Sequence, residues 1–391
     1  MSFCFKNKFL WMAMCVVMLC SCGYENEVEP DLGSRTILMY LPYTGENNLY
    51  RDFLRNIQDV SEAIKEQSGL GNNRFFVFIS RTQSEAVFME LQYNAQSKRV
   101  VNDTIEMVSN PVLTTVDGIV SILNKVQQAA FADRYALIVG CHGEGWLPAP
   151  PNGPNRTRWY GSSDEPGRTD ISTLAKAIDI TGMHMEYMLF DMCYMSCIET
   201  AYDLRNATDC IIGSTSEVMN YGMPYKKVLP YILRTTPDYK GVVNAYNDFY
   251  TNYYAPYATI AATRTEYVEE MANLMREINA KYSITDEHLA RVQDLDAAHF
   301  TPTVYFDFGD YVDKTLGYIG NDSDARNLLE QFHVLLNKLV PYKATTGQIT
   351  SSIGSSVLPV NAFSGLTISD PSTNAIIATS KSATAWWAAT H

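Results

Sequence analysis

Short apolar runs that alternate with helical patterns are the feature of this sequence that most limits its fold. The runs are rich in aliphatic and aromatic side chains and lie at residues 36–41, 75–79, 135–139, 187–190, 210–213 and 257–262. Continuous apolar runs of this length are typical of strands that are buried on both faces, as in parallel sheets. Between them, helical spacing recurs, for example at Val116, Ile119, Leu123 and Val126. The pattern predicts an α/β fold with a mostly parallel sheet flanked by helices.

Two segments between these runs have other patterns. Residues 86–92 and 99–108 predict a β-hairpin inserted after the second strand. Residues 147–169 contain five Pro, three Gly and three Arg and have no apolar period. Such a composition predicts a long exposed loop between the third and fourth strands.

The pattern changes after about residue 264. Helical spacing dominates, with apolar side chains at Met271, Leu274, Met275, Ile278, Leu328, Leu329, Phe332, Leu335 and Leu336. Short apolar segments at 303–308 and 365–368 predict two strands in this part of the chain. We therefore predict a main domain over residues 35–263 and a mainly helical C-terminal subdomain, packed on it, over residues 264–391.

Composition and charge narrow the class of protein. Hydrophobic residues make up 46% of the 391 residues and charged residues 19%, which is typical of a globular chain and excludes disordered and fibrous classes. The 30 Lys and Arg face 43 Asp and Glu, giving a net charge of −13. Binding to a phosphate backbone needs a basic surface, so we predict no nucleic-acid partner.

The first residues read as an export signal. Lys6 and Lys8 precede an apolar run at 9–19, which is too short to span a bilayer. The run ends in Leu19-Cys20-Ser21-Cys22-Gly23, which resembles the lipoprotein box of bacteria, with Cys22 as the lipidated residue. The alternative is an ordinary signal peptide cleaved nearby.

The lipoprotein interpretation divides the N-terminal region into two segments. It makes residues 1–21 the signal peptide and residues 22–34, which are acidic and unpatterned, a tether. We expect an exported lipoprotein at the outer membrane or cell surface, attached to the membrane only through its N-terminal lipid. Processing would leave Cys141, Cys193, Cys197 and Cys210, too few for a disulfide scaffold, although two of them can still pair.

Two of the predicted strands end in reactive residues. The strand at 135–139 runs into Gly140-Cys141-His142-Gly143-Glu144, and the strand at 187–190 runs into Asp191-Met192-Cys193. Because ligands bind at the carboxyl ends of strands in open α/β sheets, we expect His142 and Cys193 at one rim. A thiolate nucleophile needs a base and a favourable field such as a helix N-terminus, and we expect Cys193 to have both, with a helix following at 198–204. The backbone N–H groups of Gly143 and Cys193 are candidates for binding an oxyanion.

These residues resemble the clostripain family of cysteine peptidases, which have a caspase-like fold. His142 precedes Cys193 by 51 residues, and in caspases the His likewise lies about 50 residues upstream of the Cys. The resemblance rests on specific central motifs and weaker outer ones: Thr36-Ile-Leu-Met-Tyr-Leu, Asn47-Asn48-Leu49, His142-Gly143-Glu144-Gly145-Trp146, Asp191-Met192-Cys193-Tyr194-Met195-Ser196, Glu199, Ala201, Tyr202, Leu204, Ser216-Glu217, Pro224-Tyr225 and Gly365-Leu366-Thr367-Ile368. It covers roughly residues 35–371.

The resemblance implies a peptidase that acts on proteins or peptides with a dyad of Cys193 and His142. It also implies that Asp191 lies at the base of the primary specificity pocket and accepts Arg or Lys, as a carboxylate in a partly dry pocket would. The alternative for Asp191 is a carboxylate that caps the following helix. Glu217 is a weaker candidate for substrate binding. Family members commonly have a further acid after this position, whereas this chain reads Val218-Met219-Asn220-Tyr221-Gly222, so strict Arg specificity does not follow.

The resemblance further implies maturation by cleavage between the His and Cys segments. Arg156, Arg158 and Arg168 lie in the predicted loop at 147–169 and match the expected specificity, so we predict self-cleavage there. The alternative is that this loop is a passive surface connection.

Two other functions compete with a peptidase. Cys141, His142, Cys193 and Cys197 offer thiolate and imidazole ligands for a metal, although adjacent residues at a strand end point to opposite faces. The second is an inactive, peptidase-like lipoprotein that only binds peptide or glycan. We predict the peptidase, with no cofactor and no metal site, and the sequence makes no prediction about calcium.

Overall fold

The fold is described from a computed structural model. It describes residues 34–42, 47–148, 160–161, 168–319, 322–354 and 356–391, without the side chains of Asn47, Asn48 and Tyr160. The predicted signal peptide, Cys22, the tether up to residue 33, Arg156 and Arg158 lie outside the described residues.

The first part of the chain alternates strands and helices, as the sequence predicts. Its elements are β1 (Arg35–Leu41), α1 (Asn47–Glu66), β2 (Asn73–Thr82), β3 (Glu85–Asn94), β4 (Arg99–Ser109), α2 (Val116–Ala129), β5 (Arg134–Gly140), β6 (His142–Gly143), β7 (Tyr160–Gly161), β8 (Arg168–Thr169), α3 (Ile171–Thr181), β9 (Met185–Asp191), α4 (Ile198–Leu204), β10 (Cys210–Gly213), α5 (Tyr225–Ile232), α6 (Tyr239–Thr251) and β11 (Thr259–Arg264).

The second part of the chain is mainly helical. Its elements are α7 (Val268–Lys281), α8 (Asp286–Leu289), β12 (Phe306–Asp307), α9 (Phe308–Leu316), α10 (Ser323–Leu339), β13 (Tyr342–Thr345), β14 (Gln348–Thr350), β15 (Val357–Pro359), β16 (Thr367–Ile368), α11 (Ala375–Ser380) and α12 (Ala385–Thr390). The two strands predicted here are shorter than expected, and they pair with each other as β12 and β16.

Within the described residues, nine strands form one mixed sheet in the order β13-β11-β10-β9-β5-β1-β2-β3-β4. The five strands from β10 to β2 in that order are parallel to one another. The predicted hairpin adds β3 and β4 antiparallel at one edge, and β11 and β13 are antiparallel at the other. The expected α/β architecture, a mostly parallel centre flanked by helices, is confirmed.

Side-chain pattern and capping explain why the central elements form where they do. All seven residues of β1 are buried, which is typical of a strand with helices on both faces. In α2 the buried residues are Ile119, Ile122, Leu123 and Val126, at helical spacing. The helix begins after Thr115, whose side chain accepts a hydrogen bond from the Gly118 N–H.

The C-terminal part packs on the rim of the sheet where the reactive residues lie. Trp146, Leu147 and Tyr194 form a buried cluster with Val304 and Tyr305. β13 also extends the main sheet beside β11, so residues on both sides of position 264 belong to one sheet. The division at that position remains a prediction. None of the helices that the structure describes is long and apolar enough to span a bilayer.

Arg35 anchors the opposite end of the sheet. Its side chain is fully buried, and its Nε lies 2.5 Å from Glu186 Oε2. Its terminal nitrogens donate to the carbonyls of Ile232, Arg234 and Thr235, at the C-terminal end of α5. A buried cation with this many acceptors ties β1, β9 and α5 together.

Candidate active site

His142 and Cys193 follow neighbouring strands. β5 and β9 are parallel, and Gly140 at the end of β5 is the register partner of Asp191 at the end of β9. His142 comes two residues after Gly140, and Cys193 comes two residues after Asp191. The sheet topology therefore brings both reactive groups to one rim, as the sequence predicts.

Cys193 lies in a loop and not in the first turn of a helix. The next residue, Tyr194, has a φ of 61°, which turns the chain away from helical geometry. α4 begins only at Ile198, with Cys197 as its N-cap residue. The predicted bounds of this helix, 198–204, are right. The expectation that a helix N-terminus lies beside Cys193 is wrong, because the turn at Tyr194 separates Cys193 from α4.

The surroundings of the Cys193 thiol act on its pKa in both directions. Burial, together with the carboxylates of Glu217, Glu144 and Asp191, raises the pKa of the thiol well above its usual value. The Val218 N–H lies 3.3 Å from Sγ and donates to it, which favours the thiolate. On balance the arrangement holds the thiol neutral, so forming the nucleophile requires a base.

A small cavity joins the reactive groups to a carboxylate. Its volume is about 80 Å³, and it is lined by Leu49, Asp52, Phe53, Asn56, Cys141, His142, Asp191, Met192, Cys193, Val218, Met219, Asn220 and Gly222. We call it the active-site cavity. His142 is exposed, Cys193 is partly buried and Asp191 is buried, so the cavity leads from an open rim down to a carboxylate.

Asp191 is held by three donors. Its Oδ1 accepts from the Met223 N–H at 2.7 Å, and its Oδ2 accepts from the Tyr225 hydroxyl at 2.9 Å and from Asn56 Nδ2 at 3.3 Å. Burial raises the pKa of this carboxyl to about 6, against the effect of the Tyr225 and Met223 hydrogen bonds. Because these partners all lie outside α4, the alternative that Asp191 caps the following helix is wrong.

The segment from Val218 to Gly222 forms one wall of the cavity, and Glu217 directly precedes it. Gly222 has a φ of 71°, and a Cβ placed there would lie 2.7 Å from Asp191 Oδ1. The Tyr250 hydroxyl donates to the Gly222 carbonyl at 2.7 Å and fixes this close approach. The Glu217 carboxylate accepts from the Ser352 N–H at 2.6 Å and from the Ser352 hydroxyl. Glu217 is not among the residues that line the cavity.

Helix α1 contributes two polar residues that the sequence analysis missed. Asp52 and Asn56 are one turn apart and line the cavity. Arg55 donates to Asp52 Oδ1 at 2.8 Å and to the carbonyls of Asn220 and Tyr221 at 3.1 and 3.2 Å. The i, i+4 spacing of Asp52 and Asn56 was visible in the sequence, but nothing local connected that helix face with a cavity.

Gly143 lies against the nucleophile loop. A Cβ at this position would lie 3.0 Å from both the Cys193 carbonyl oxygen and the Met192 side chain. The close approach of the two backbones is therefore possible because residue 143 is glycine. It brings the two predicted oxyanion residues, Gly143 and Cys193, together.

Both ends of the predicted loop at 147–169 are among the described residues. Leu147 and Thr169 are buried. β7 pairs antiparallel with β6, which carries His142, and β8 pairs with β7. Arg168 is therefore in a paired strand, whereas Arg156 and Arg158 lie outside the described residues.

The remaining cysteines do not form a ligand cluster with His142. Cys141 is buried, with Sγ 3.5 Å from Met192 Sδ, and Cys197 is buried, with Sγ 3.0 Å from Thr200 Oγ1. In the part of the chain that the structure describes, no three His, Cys, Asp or Glu side chains are placed to hold a metal ion. Cys141, Cys193, Cys197 and Cys210 are all free thiols.

Comparison with known proteins gives consistent matches. The model of the clostripain family matches residues 42–328. The chain is similar to the solved structure of a secreted C11 cysteine protease from Bacteroides thetaiotaomicron, with 39% identity, a TM-score of 0.83, and coverage of 92% of this chain and 99% of that one. No curated protein gives a match.

Two further solved structures are similar. One is an inactive zymogen C11 protease from Parabacteroides distasonis, with 25% identity, a TM-score of 0.77, and coverage of 91% of this chain and 98% of that one. The other is a clostripain from Bacteroides thetaiotaomicron in complex with the peptide inhibitor BTN-VLTK-AOMK, with 42% identity, a TM-score of 0.55, and coverage of 60% of this chain and 99% of that one.

The fold and these matches define an α/β cysteine peptidase. The chain belongs to the clostripain family, C11. The resemblance drawn from the sequence motifs is confirmed at the level of family, fold and enzyme class.

Proposed function

We propose that this chain is an exported endopeptidase that cleaves after Arg or Lys with Cys193 as nucleophile and His142 as base. The observation that carries the proposal is the active-site cavity, in which both side chains open onto a space that ends at the Asp191 carboxylate. A nucleophile, a base and a charged specificity group around one cavity are the parts that such a reaction needs.

The proposed reaction begins with a proton transfer. The His142 imidazole takes the proton of the Cys193 thiol, and the thiolate attacks the carbonyl carbon of the scissile peptide. The backbone N–H groups of Gly143 and Cys193 bind the oxyanion. When the tetrahedral intermediate collapses, the C–N bond breaks and the imidazolium gives its proton to the leaving amine. Water, deprotonated by His142, then hydrolyses the thioester and restores the thiol.

A basic substrate side chain suits the two carboxylates of the cavity. Asp191 already accepts three hydrogen bonds, which leaves it little capacity beyond one strong contact with a cation. Asp52 offers a second carboxylate from α1, and it is paired with Arg55. The clostripain from Bacteroides thetaiotaomicron is described in complex with an inhibitor whose peptide, VLTK, ends in lysine. That description supports a basic preference here.

The test of the dyad uses purified Cys193→Ala and His142→Ala. Each variant should lose nearly all hydrolysis of a peptide with Arg or Lys at P1, because removing one member of a catalytic unit costs about as much as removing all of them. Each should keep the thermal stability of the wild type. Cys197→Ser is the matched control, since serine is a favourable N-cap residue and Cys197 is outside the cavity. Substantial hydrolysis by Cys193→Ala would show that the assignment is wrong.

The test of specificity uses Asp191→Ala and Asp52→Asn. Asp191→Ala should lower kcat/KM for basic substrates by about 10² or more, and Asp52→Asn by several-fold, while iodoacetamide still alkylates the thiol in both. A substrate library that shows acidic or apolar P1 residues as the best substrates would contradict the proposal.

We infer that the chain is matured by self-cleavage between His142 and Cys193. Of the three candidate arginines, Arg168 is paired in β8, so its peptide bond must leave a strand before a protease can bind it. Arg156, Arg158 and Arg168 all remain candidate sites. A C11 protease similar to this chain is described as an inactive zymogen. N-terminal sequencing after incubation should find a new terminus at 157, 159 or 169 in the wild type and none in Cys193→Ala. Full activity from an uncut chain would contradict self-activation.

We further propose export and lipid anchoring through Cys22. A similar C11 protease is described as secreted, which supports export. In a bacterial host, the wild type should incorporate radioactive palmitate and partition into detergent, whereas Cys22→Ala should do neither. Release of unlabelled wild-type protein into the medium would favour an ordinary signal peptide.

A further inference from the structure

Four aromatic side chains form a surface beside one wall of the active-site cavity, near the end of α6. Tyr254 is 87% exposed, and its ring centroid lies 4.4 Å from that of Tyr253. The Tyr253 ring in turn lies 5.3 Å from Phe249 and 5.8 Å from Tyr221, and these last two rings are 4.6 Å apart. We call Tyr221, Phe249, Tyr253 and Tyr254 the aromatic ledge.

The aromatic ledge is continuous with the wall of the cavity. Tyr221 lies between Asn220 and Gly222, which both line the cavity. The guanidinium carbon of Arg55 lies 4.6 Å from the centroid of the Tyr221 ring, and Arg55 is also paired with Asp52, another lining residue. An extended peptide advances about 3.3 Å per residue. A peptide with one side chain in the cavity therefore has further residues within reach of the ledge.

The outer part of the ledge is also close to the charged residues of the cavity. Burial raises the pKa of the Tyr253 hydroxyl, and a hydrogen bond with Tyr254 raises it further. The Asp52 carboxylate adds to this shift and the Arg55 guanidinium opposes it. Such charge effects require proximity, so Tyr253 lies near the pair that Asp52 and Arg55 form beside the cavity.

Contacts behind the ledge hold its rings in place. The Tyr221 hydroxyl donates to Asp59 Oδ2 at 2.9 Å. The Tyr250 ring, whose hydroxyl donates to the cavity wall, lies 5.1 Å from the Phe249 ring and 5.5 Å from the Tyr253 ring. A surface that is already ordered loses little entropy when a ligand binds to it.

The chemistry of the ledge favours an aromatic ligand. An exposed aromatic ring beside a binding cavity is stabilised when an apolar group covers it and removes water, and a second ring adds a specific ring-to-ring interaction. A cationic side chain is less suitable. The Arg55 guanidinium already lies over the Tyr221 ring, so a second cation there would meet a like charge.

We propose that the aromatic ledge is a second specificity subsite, which binds an aromatic side chain of the peptide substrate at a position other than P1, with Tyr254 as its main contact. The inference rests on the proposed function, because it takes the active-site cavity as the site that binds P1. Phe249, Tyr253 and Tyr254 belong to none of the motifs that carry the family resemblance.

The experiment measures kcat/KM for internally quenched peptides that have Arg at P1 and Ala elsewhere, with Phe placed singly at each position from P4 to P2′ except P1. We expect Phe at one of these positions to raise kcat/KM of the wild type about tenfold over the peptide with Ala only. Tyr254→Ser should reduce this ratio to about one. Tyr254→Phe, which keeps the ring, should retain the ratio.

Phe131→Ser is the matched control. Phe131 is 79% exposed, and it precedes β5, whose other end leads to His142, so it lies at the opposite end of that strand from the cavity. This variant also loses one exposed ring, and it should keep the wild-type ratio.

Three results would count against the proposal. Equal rates for all the Phe-containing peptides and the Ala peptide in the wild type would overturn it, and so would a preference for Phe that Tyr254→Ser retains. A parallel series with Lys in place of Phe tests a cationic ligand, and a larger gain with Lys that depends on Tyr254 would overturn the aromatic assignment. If the wild type hydrolyses none of these peptides, the proposed function fails and this inference fails with it. Hydrolysis without a preference that depends on Tyr254 overturns this inference alone.

Discussion

Burial gives Asp191 a property that an exposed carboxylate lacks. Its pKa is raised to about 6, so it is ionised above that pH and neutral below it. We predict that kcat/KM for Arg and Lys substrates falls as the pH drops through about 6, and that Asp191→Asn loses this dependence together with most of the activity. Pre-steady-state and steady-state assays from pH 4.5 to pH 8 would measure it. A wild-type profile that is flat across pH 6 would contradict the prediction.

The same shift has a consequence for stability. The folded-state pKa lies above the usual value of 3.8, so ionisation of Asp191 destabilises the fold progressively as the pH rises from about 4 to about 6. Asp191→Asn should therefore unfold at a temperature equal to or above that of the wild type at pH 7, despite its loss of activity. A loss of stability of this kind is common at functional residues and agrees with the proposed role of Asp191 in recognition.

Gly222 allows a second test at the scale of one residue. Gly222→Ala introduces a Cβ in a left-handed conformation and within 2.7 Å of Asp191 Oδ1, so it should displace the carboxylate and lower kcat/KM for basic substrates at least tenfold. Gly182→Ala is the matched control. It has a φ of 66° at the end of α3 and no atom within 4 Å of the added Cβ. It should cost about 1 kcal/mol of stability and leave the kinetics unchanged. Equal kinetic losses in both variants would contradict the role of Gly222.

Sequence position was enough to find some site residues and not others. His142, Asp191 and Cys193 each follow an apolar strand closely, and strand ends in a parallel sheet share a rim. Asp52 and Asn56 reach the site only through tertiary packing, from a helix with no unusual local pattern. The turn at Tyr194 was also missed, because a positive φ at a tyrosine leaves no trace in the amino-acid type.

At the scale of elements, the apolar runs predicted which segments form buried strands, but not whether those strands are parallel or antiparallel to their neighbours. The run at 257–262 became β11, which is buried as expected but antiparallel to β10. β13 pairs with it, although all its residues are at least partly exposed and its sequence has no continuous apolar run. Edge strands of this kind are specified by their neighbours, and a single strand's sequence contains little of that information.

Helix α5 connects Asp191 to the far end of the sheet. Its first residue, Tyr225, donates to Asp191, and the carbonyl of its last residue, Ile232, accepts from buried Arg35. We predict that Arg35→Met lowers the free energy of unfolding by about 3 kcal/mol, because it leaves several buried acceptors without a donor. Denaturant titration measures this change.

The matched control for Arg35 is Arg81→Met. Arg81 makes an exposed ion pair with Glu85 in which both side chains are over 40% exposed, so it should change stability by no more than about 0.5 kcal/mol. A comparable loss in both variants would show that Arg35 contributes no more than a surface charge. Iodoacetamide should alkylate Cys193 at the wild-type rate in both.

At the scale of the whole molecule, the boundary between β5 and β9 divides the sheet into two contiguous halves. A cut after Arg156 or Arg158 leaves β5, β1, β2, β3 and β4 in one piece and β9, β10, β11 and β13 in the other. α1 packs on α5, and α2 packs on α3, across the same boundary. We predict that the cleaved pieces elute together in gel filtration and separate only in denaturant. Elution as two folded, separate pieces would contradict this pairing.

The residues around the candidate active site are far apart in the sequence, so they are synthesised at different times. His142 and Cys193 are made early, whereas Ser352 belongs to the last hundred residues of the chain. Glu217 takes its hydrogen bonds from Ser352, 135 positions further on. A polypeptide still being synthesised therefore contains the proposed nucleophile and base before Glu217 can accept its hydrogen bonds from Ser352. We expect the nascent chain to remain inert toward neighbouring proteins until its C-terminal segment has emerged and folded.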